Sequence, residues 1–290
     1  MKRYNHKKHH FWWMFSYDLR WGIVGQWKKW ILVVLFCMIS CLFLNMQARG
    51  ISRTSGNLVT GSMLDYFIHF VHGMERFEPS AQKAFQIPVV YMGIMIGISY
   101  MIGGYASKDL GTSGIQTMTR SKSRVSWMLS KILWNISVVM VVFGFMILFS
   151  MIFGEKNLSI SDLLCQRDMH FHGITEGIGA ASLSETELIG RALLMALLTS
   201  MAFALLQMTI ELIATPVIGF LWNLCLIFLS AYITSPFLLG NYWMLQRSNI
   251  FLENGMNMGG GIIASLGVMF ISIVTDLWII RKKDIGMESK

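Results

Sequence analysis

The sequence predicts an all-α membrane protein with six transmembrane helices. An amphipathic helix lies in the interface before the first, and a short cytoplasmic helix lies between the second and third. Three observations carry this reading. Apolar residues make up 54% of the 290 and charged residues only 14%, with a mean hydropathy of +0.54. A soluble domain carries about a quarter charged residues. Six apolar runs approach the roughly 20 residues that a span requires. The 24 Lys and Arg are also divided unevenly between the two sets of loops that those runs define. Composition therefore excludes a soluble globular enzyme and a disordered chain. The net charge of +8 belongs to membrane orientation, and no nucleic-acid partner is expected.

Residues 1–30 form a cytoplasmic N-terminal segment. Trp12, Phe15, Leu19, Ile23 and Trp27 recur near helical spacing behind a Lys- and His-rich start, the pattern of a helix lying in the membrane interface. The transmembrane domain covers 31–280, with spans at about 31–46, 87–105, 132–153, 189–210, 217–234 and 262–280. Trp27 and Trp30 anchor the short first span at the interface. Pro216 and Pro236 bound the fifth, as suits helix ends. Only a few residues separate the fourth and fifth, which predicts a tight hairpin. A cytoplasmic tail, 281–290, follows.

With six spans both termini share a side, and charge names it. Sixteen Lys and Arg fall in the N-terminal segment, the loop between spans two and three, and the tail. Eight fall on the opposite side, over longer loops. The positive-inside rule then places both termini in the cytoplasm. The loop after span two carries a glycine turn (Gly111, Gly114) and then a basic cluster that includes Arg120, Lys122 and Arg124. Val125, Met128, Leu129 and Ile132 follow at helical spacing. This predicts a short helix with an apolar face and a basic flank, suited to docking a protein or to holding lipid headgroups.

Catalytic chemistry finds little support. A phosphate-binding loop ends in Gly-Lys-Ser/Thr, and the dipeptide Gly-Lys does not occur. No span contains His, which removes an intramembrane Ser/His pair. The external groups His69, His72, Met74 and Cys165, His170, His172 offer soft and imidazole ligands without paired spacing, so no metal site is expected. The intramembrane charges Arg191, Glu211 and Asp276 all lie near span ends, where anchoring suits them better than an ion relay. Gly93 and Gly97, with Ser99 and Gly103 at the same four-residue spacing, mark a face where helices approach closely, within the chain or in a dimer.

Taken together the pattern resembles the membrane permease subunits of bacterial ABC exporters of the ABC-2 type. The resemblance covers most of the chain as architecture. Locally it rests on Lys108-Asp109, Gly111-Thr112, Ser123-Arg124 and Lys131 around the second loop, and on the closing Arg281-Lys282-Lys283-Asp284-Ile285. The family often has Glu-Arg after span two and Pro before Ser-Arg, where Lys108-Asp109 and Lys122 stand here. The resemblance implies a transport subunit in the bacterial cell membrane rather than an enzyme. It also implies a dimer with a second copy or a related permease, and pairing with a dimeric ABC ATPase. No cofactor is expected on this chain; ATP and Mg would belong to the partner ATPase. The helix containing Arg120, Lys122, Arg124, Val125, Met128 and Leu129 would be the coupling helix that docks on it. A peptide or a hydrophobic compound would be the substrate. The competing readings are a membrane-embedded enzyme or protease, and a non-transporting scaffold or immunity protein.

Overall fold

The computed structural model describes residues 2–56, 59–77, 85–112, 114, 116–118, 123–156, 163, 185–252 and 254–282. Helix α1 (Lys2–Gly22) ends at a 3-10 turn, Val24–Gln26, from which α2 (Trp27–Ser55) departs. Then follow α3 (Met63–Val71), α4 (Val89–Ile102), α5 (Tyr105–Gly111) and α6 (Arg124–Phe153). The second half contains α7 (Glu185–Ile213), α8 (Pro216–Tyr232), a short α9 (Gly240–Trp243), a 3-10 turn (Leu245–Arg247) and α10 (Met258–Lys282). Among the described residues there is no strand.

Five stretches are long and apolar enough to cross a membrane: Phe11–Thr54, Val89–Gly111, Arg124–Phe153, Thr186–Ile213 and Met258–Lys282. The expected fifth span is α8, apolar but only 17 residues long. At 1.5 Å per residue it extends about 26 Å, short of a hydrocarbon core of about 30 Å. Its ends are sharply set. Thr215 caps it by accepting from the Ile218 amide at 3.3 Å, and Pro216 occupies the first turn.

Helices α6 and α7 form the centre. Helix α7 packs along α10 and α8, and α6 receives α1, α2, α3 and α10. The outer faces remain apolar and exposed, as at Ile39, Phe43, Met151, Ile263 and Phe270. In water such faces would demand partners; in a bilayer the lipid is the partner.

Three features depart from the sequence expectations. First, α1 turns Met14 and Asp18 inward against the body, while its Trp12, Trp13 and Trp21, and Trp27 at the start of α2, face out. Phe15, Leu19 and Ile23 of the expected stripe are half-buried, Ile23 against the core, so the outward face is set by the tryptophans and not by the whole stripe. Gly22 makes the close approach possible, because a Cβ there would lie 2.2 Å from Trp134 Nε1. Second, the segment beginning at Arg124 is no separate helix. Ser123 accepts from the Ser126 amide at 3.2 Å and caps α6, whose 30 residues run unbroken into the third span. Third, the loop after the first span contains α3, nine residues opened by a Ser62/Asp65 capping box and buried on nearly every side.

Candidate functional site

One end of the molecule gathers Asp109, Arg124, Lys131 and Arg281, residues named in the sequence resemblance; Lys283, Asp284 and Ile285 lie outside the described residues. Lys131, on the second turn of α6, is sealed from solvent and forms ion pairs with Asp18 of α1 and, at 2.7 Å, with Asp109 of α5. Two carboxylates share one buried ammonium. Ser130 Oγ and Tyr105 Oη also donate to Asp18, the latter at 2.8 Å. Trp127 Nε1 donates to Asp109 at 2.9 Å. The ammonium lies 4.5 Å from the Tyr105 ring centre and 5.3 Å from that of Trp127. Charge buried this deeply persists only when paired and hydrogen-bonded. The knot therefore fixes α1, α5 and α6 to one another.

The neighbouring motif residues serve the same junction. Gly114 lets the chain fold back on itself, since a Cβ there would lie 2.6 Å from the Asp109 carbonyl oxygen and 3.0 Å from Trp127 Nε1. Arg124 Nη1 donates to the Arg281 carbonyl at 3.1 Å and to that of Ile280 at 3.4 Å. It thus covers carbonyls at the C-terminal end of α10, the negative end of that helix dipole. Of the expected coupling residues, Arg120 and Lys122 lie outside the described residues. Val125 is half-buried and Leu129 is exposed. Met128 is wholly enclosed with Met14, Ala106, Met208 and Leu212 in a core of its own. Its side chain is committed within the chain, so it cannot anchor a partner.

A second polar cluster lies deeper, between α4, α7 and α8. Asn223 Nδ2 donates to Ser99 Oγ at 2.7 Å and to Gln207 Oε1 at 2.9 Å. Gln207 Nε2 reaches the Ser99 carbonyl at 3.0 Å and Glu211 at 2.9 Å. Glu211 in turn accepts from the Gly104 amide at 3.0 Å. A lipid-facing helix has no water to satisfy such groups, so they pair across helices. Gly219 admits the turn, as a Cβ there would meet Glu211 Cγ at 2.4 Å. Glu211 and Ser99, named separately from the sequence, belong to one network. Gly103 borders it, with Gln207 Nε2 3.6 Å from where its Cβ would be.

Gly93 and Gly97 face α2. A Cβ at Gly93 would enter the Phe36 ring at 2.0 Å, and one at Gly97 would touch Val33 at 3.7 Å. The pair is thus used inside the chain. Asp276 is buried, and neither carboxylate oxygen makes a hydrogen bond among the described residues; Thr209 of α7 is its polar neighbour. Arg191 borders a small cavity with Met195, Tyr242 and Met258. Among the described residues no three His, Cys, Asp or Glu side chains cluster as a metal site. His69 and His72 are buried, while Cys165, His170 and His172 lie outside the described residues.

At the far end of the molecule a buried arginine organises the loops. Arg247 donates to the carbonyls of Ser230 (2.6 Å), Ala231 (2.7 Å), Met74 (3.1 Å) and Glu75 (3.3 Å), and to Asn241 Oδ1. Ser230 and Ala231 end α8, so the cation covers that helix's free carbonyls. Burial pushes its pKa down to about 10, with Tyr91 opposing, so the charge persists at neutrality.

Sequence reasoning missed Asp18, Gln207, Asn223 and Arg247. An acid in an otherwise basic helix and polar amides inside apolar spans were the available signals. The DUF2705 family profile, described as a protein of unknown function, matches residues 30–286. No curated protein and no solved structure matches the chain. That match takes in every helix from α2 onward, and the chain belongs to the DUF2705 family.

Proposed function

We propose that this chain is the permease subunit of an ATP-driven exporter of the ABC-2 type, lying in the bacterial cell membrane. It pairs with a second copy or a related permease, and with a separate dimeric ATPase that binds ATP and Mg. Helix α8 is the fifth of six spans, and both termini are cytoplasmic. The exported compound is a peptide or a hydrophobic molecule.

The observation that carries this reading is the knot around Lys131. On one flank of the second loop Asp109 is bound through Lys131 to α1 and α6, and on the other Arg124 is bound to α10. A protein pushing on that segment would move four helices together, which is what a power-transmitting contact requires. The missing Gly-Lys dipeptide agrees with hydrolysis elsewhere. With Met128 assigned to the core and Arg124 bound to the end of α10, the docking residues that remain are Arg120, Lys122, the half-buried Val125 and the exposed Leu129.

The test is purification of the tagged chain from its native membrane in mild detergent. An ATPase subunit should accompany it, and vanadate-sensitive hydrolysis should require that subunit. Leu129→Asp should reduce ATPase recovery about tenfold or more at matched membrane levels, as loss of an interface anchor does. A chain that purifies without any ATPase, or that hydrolyses ATP alone, would overturn the proposal.

A further inference from the structure

The seam between α2 and α4 is an antiparallel pairing in which Lys29 meets Tyr100, Val33 faces Gly97 and Phe36 faces Gly93. Two cavities open along it. At the end near α1, a pocket of about 360 Å³ is lined by the two lysines Lys29 and Lys108, by Gln26 and Thr112, and by Asp109, whose carboxylate is paired with Lys131. Immediately along the same two helices, an almost wholly apolar groove of about 280 Å³ is lined by Leu32, Val33, Phe36, Gly97 and Tyr100. Lys29 of the pocket touches Tyr100 of the groove: its Nζ donates to the Tyr100 carbonyl at 3.2 Å and lies 5.0 Å from the ring centre.

We infer that this seam binds one anionic phospholipid, with the headgroup phosphate between Lys29 and Lys108 and an acyl chain in the groove above. This goes beyond the transport reading and does not depend on it. Three observations select a lipid. Neither lysine forms an ion pair among the described residues, although Lys131 nearby is doubly paired. Gln26 Oε1 is a buried acceptor without a donor, which a headgroup hydroxyl satisfies. The groove lies beside exposed Leu32 and Tyr100 on a helix face that is otherwise lipid-facing. A soluble phosphate would use the pocket alone; only a lipid uses both cavities. Basic pockets between transmembrane helices hold anionic headgroups for the same reason.

The experiment is native mass spectrometry of the full chain in detergent, titrated with phosphatidylglycerol, phosphatidylcholine of the same acyl chains, and glycerol 3-phosphate. One phosphatidylglycerol should bind about thirtyfold more tightly than phosphatidylcholine, from about 1 kcal/mol per lysine. Lys29→Gln with Lys108→Gln should abolish that preference and leave phosphatidylcholine binding unchanged. Gly97→Leu fills the groove and should weaken both lipids; should it misfold by circular dichroism, Leu32→Asn at the groove lip reads the same contact. Equal binding of the two lipids, or an unchanged preference in the double-lysine variant, would overturn the headgroup site. Glycerol 3-phosphate displacing phosphatidylglycerol at equal concentration would show a soluble-anion site and overturn the lipid.

Discussion

Lys131 holds two carboxylates, of which Asp18 is sealed from solvent and Asp109 nearly so. Removing one partner of a buried pair costs about 3–5 kcal/mol. Lys131→Met should therefore lower the thermal midpoint of the purified protein sharply, and adding Asp18→Asn should restore part of the loss. An unchanged midpoint in the single variant would show that the pair contributes nothing. Arg247 poses the reverse problem, one cation serving five neutral acceptors. A lysine cannot reach them all with a single ammonium, whereas the guanidinium fork can. Arg247→Lys should cost about 2 kcal/mol through the carbonyls left unsatisfied, read in the same melt. Gly22→Val should be as damaging, since it drives a side chain into the Trp134 and Tyr105 rings.

The hairpin of α7 and α8 is held by the Ser99–Asn223–Gln207–Glu211 network and by the closeness that Gly219 permits. Gly219→Val must displace Glu211, and should destabilise the protein by about 1–3 kcal/mol. Preserved stability would mean that α8 tilts freely on α7. The long helices were legible in the sequence because length and apolarity alone identify a span. What escaped was anything decided by distant partners. Asp18 reads as one acid in a basic helix until Lys131, 113 positions away, is placed beside it. Met128 and Leu129 look alike at helical spacing, yet one is enclosed and the other exposed, because α1 and α7 cover a single side of α6. Helix α3 sets its polar side chains, Asp65 and His69, four apart on one side, but nine residues are too few to tell such a pattern from a loop, and that side is buried with the rest.

For the molecule as a whole, the uneven distribution of Lys and Arg predicts its orientation. With Cys37, Cys41 and Cys225 replaced, a membrane-impermeant maleimide should label Cys165 in intact cells. Labelling only after permeabilisation would invert the topology and place the Lys131 end outside, beyond reach of any cytoplasmic ATPase.

The tie between Asp18 and Lys131 also constrains how the chain is made. Helix α1 leaves the ribosome before α6, so its buried aspartate cannot meet Lys131 until 113 further residues have been synthesised. At about 5–20 residues per second that interval is roughly 6–23 s. Through it α1 lacks the contact that fixes it to α6, while α2, α3, α4 and α5 are made. Its docking is then a late event, timed by arrival of the third span. Nascent chains arrested before Lys131 should leave α1 open to protease, and chains arrested well beyond it should not.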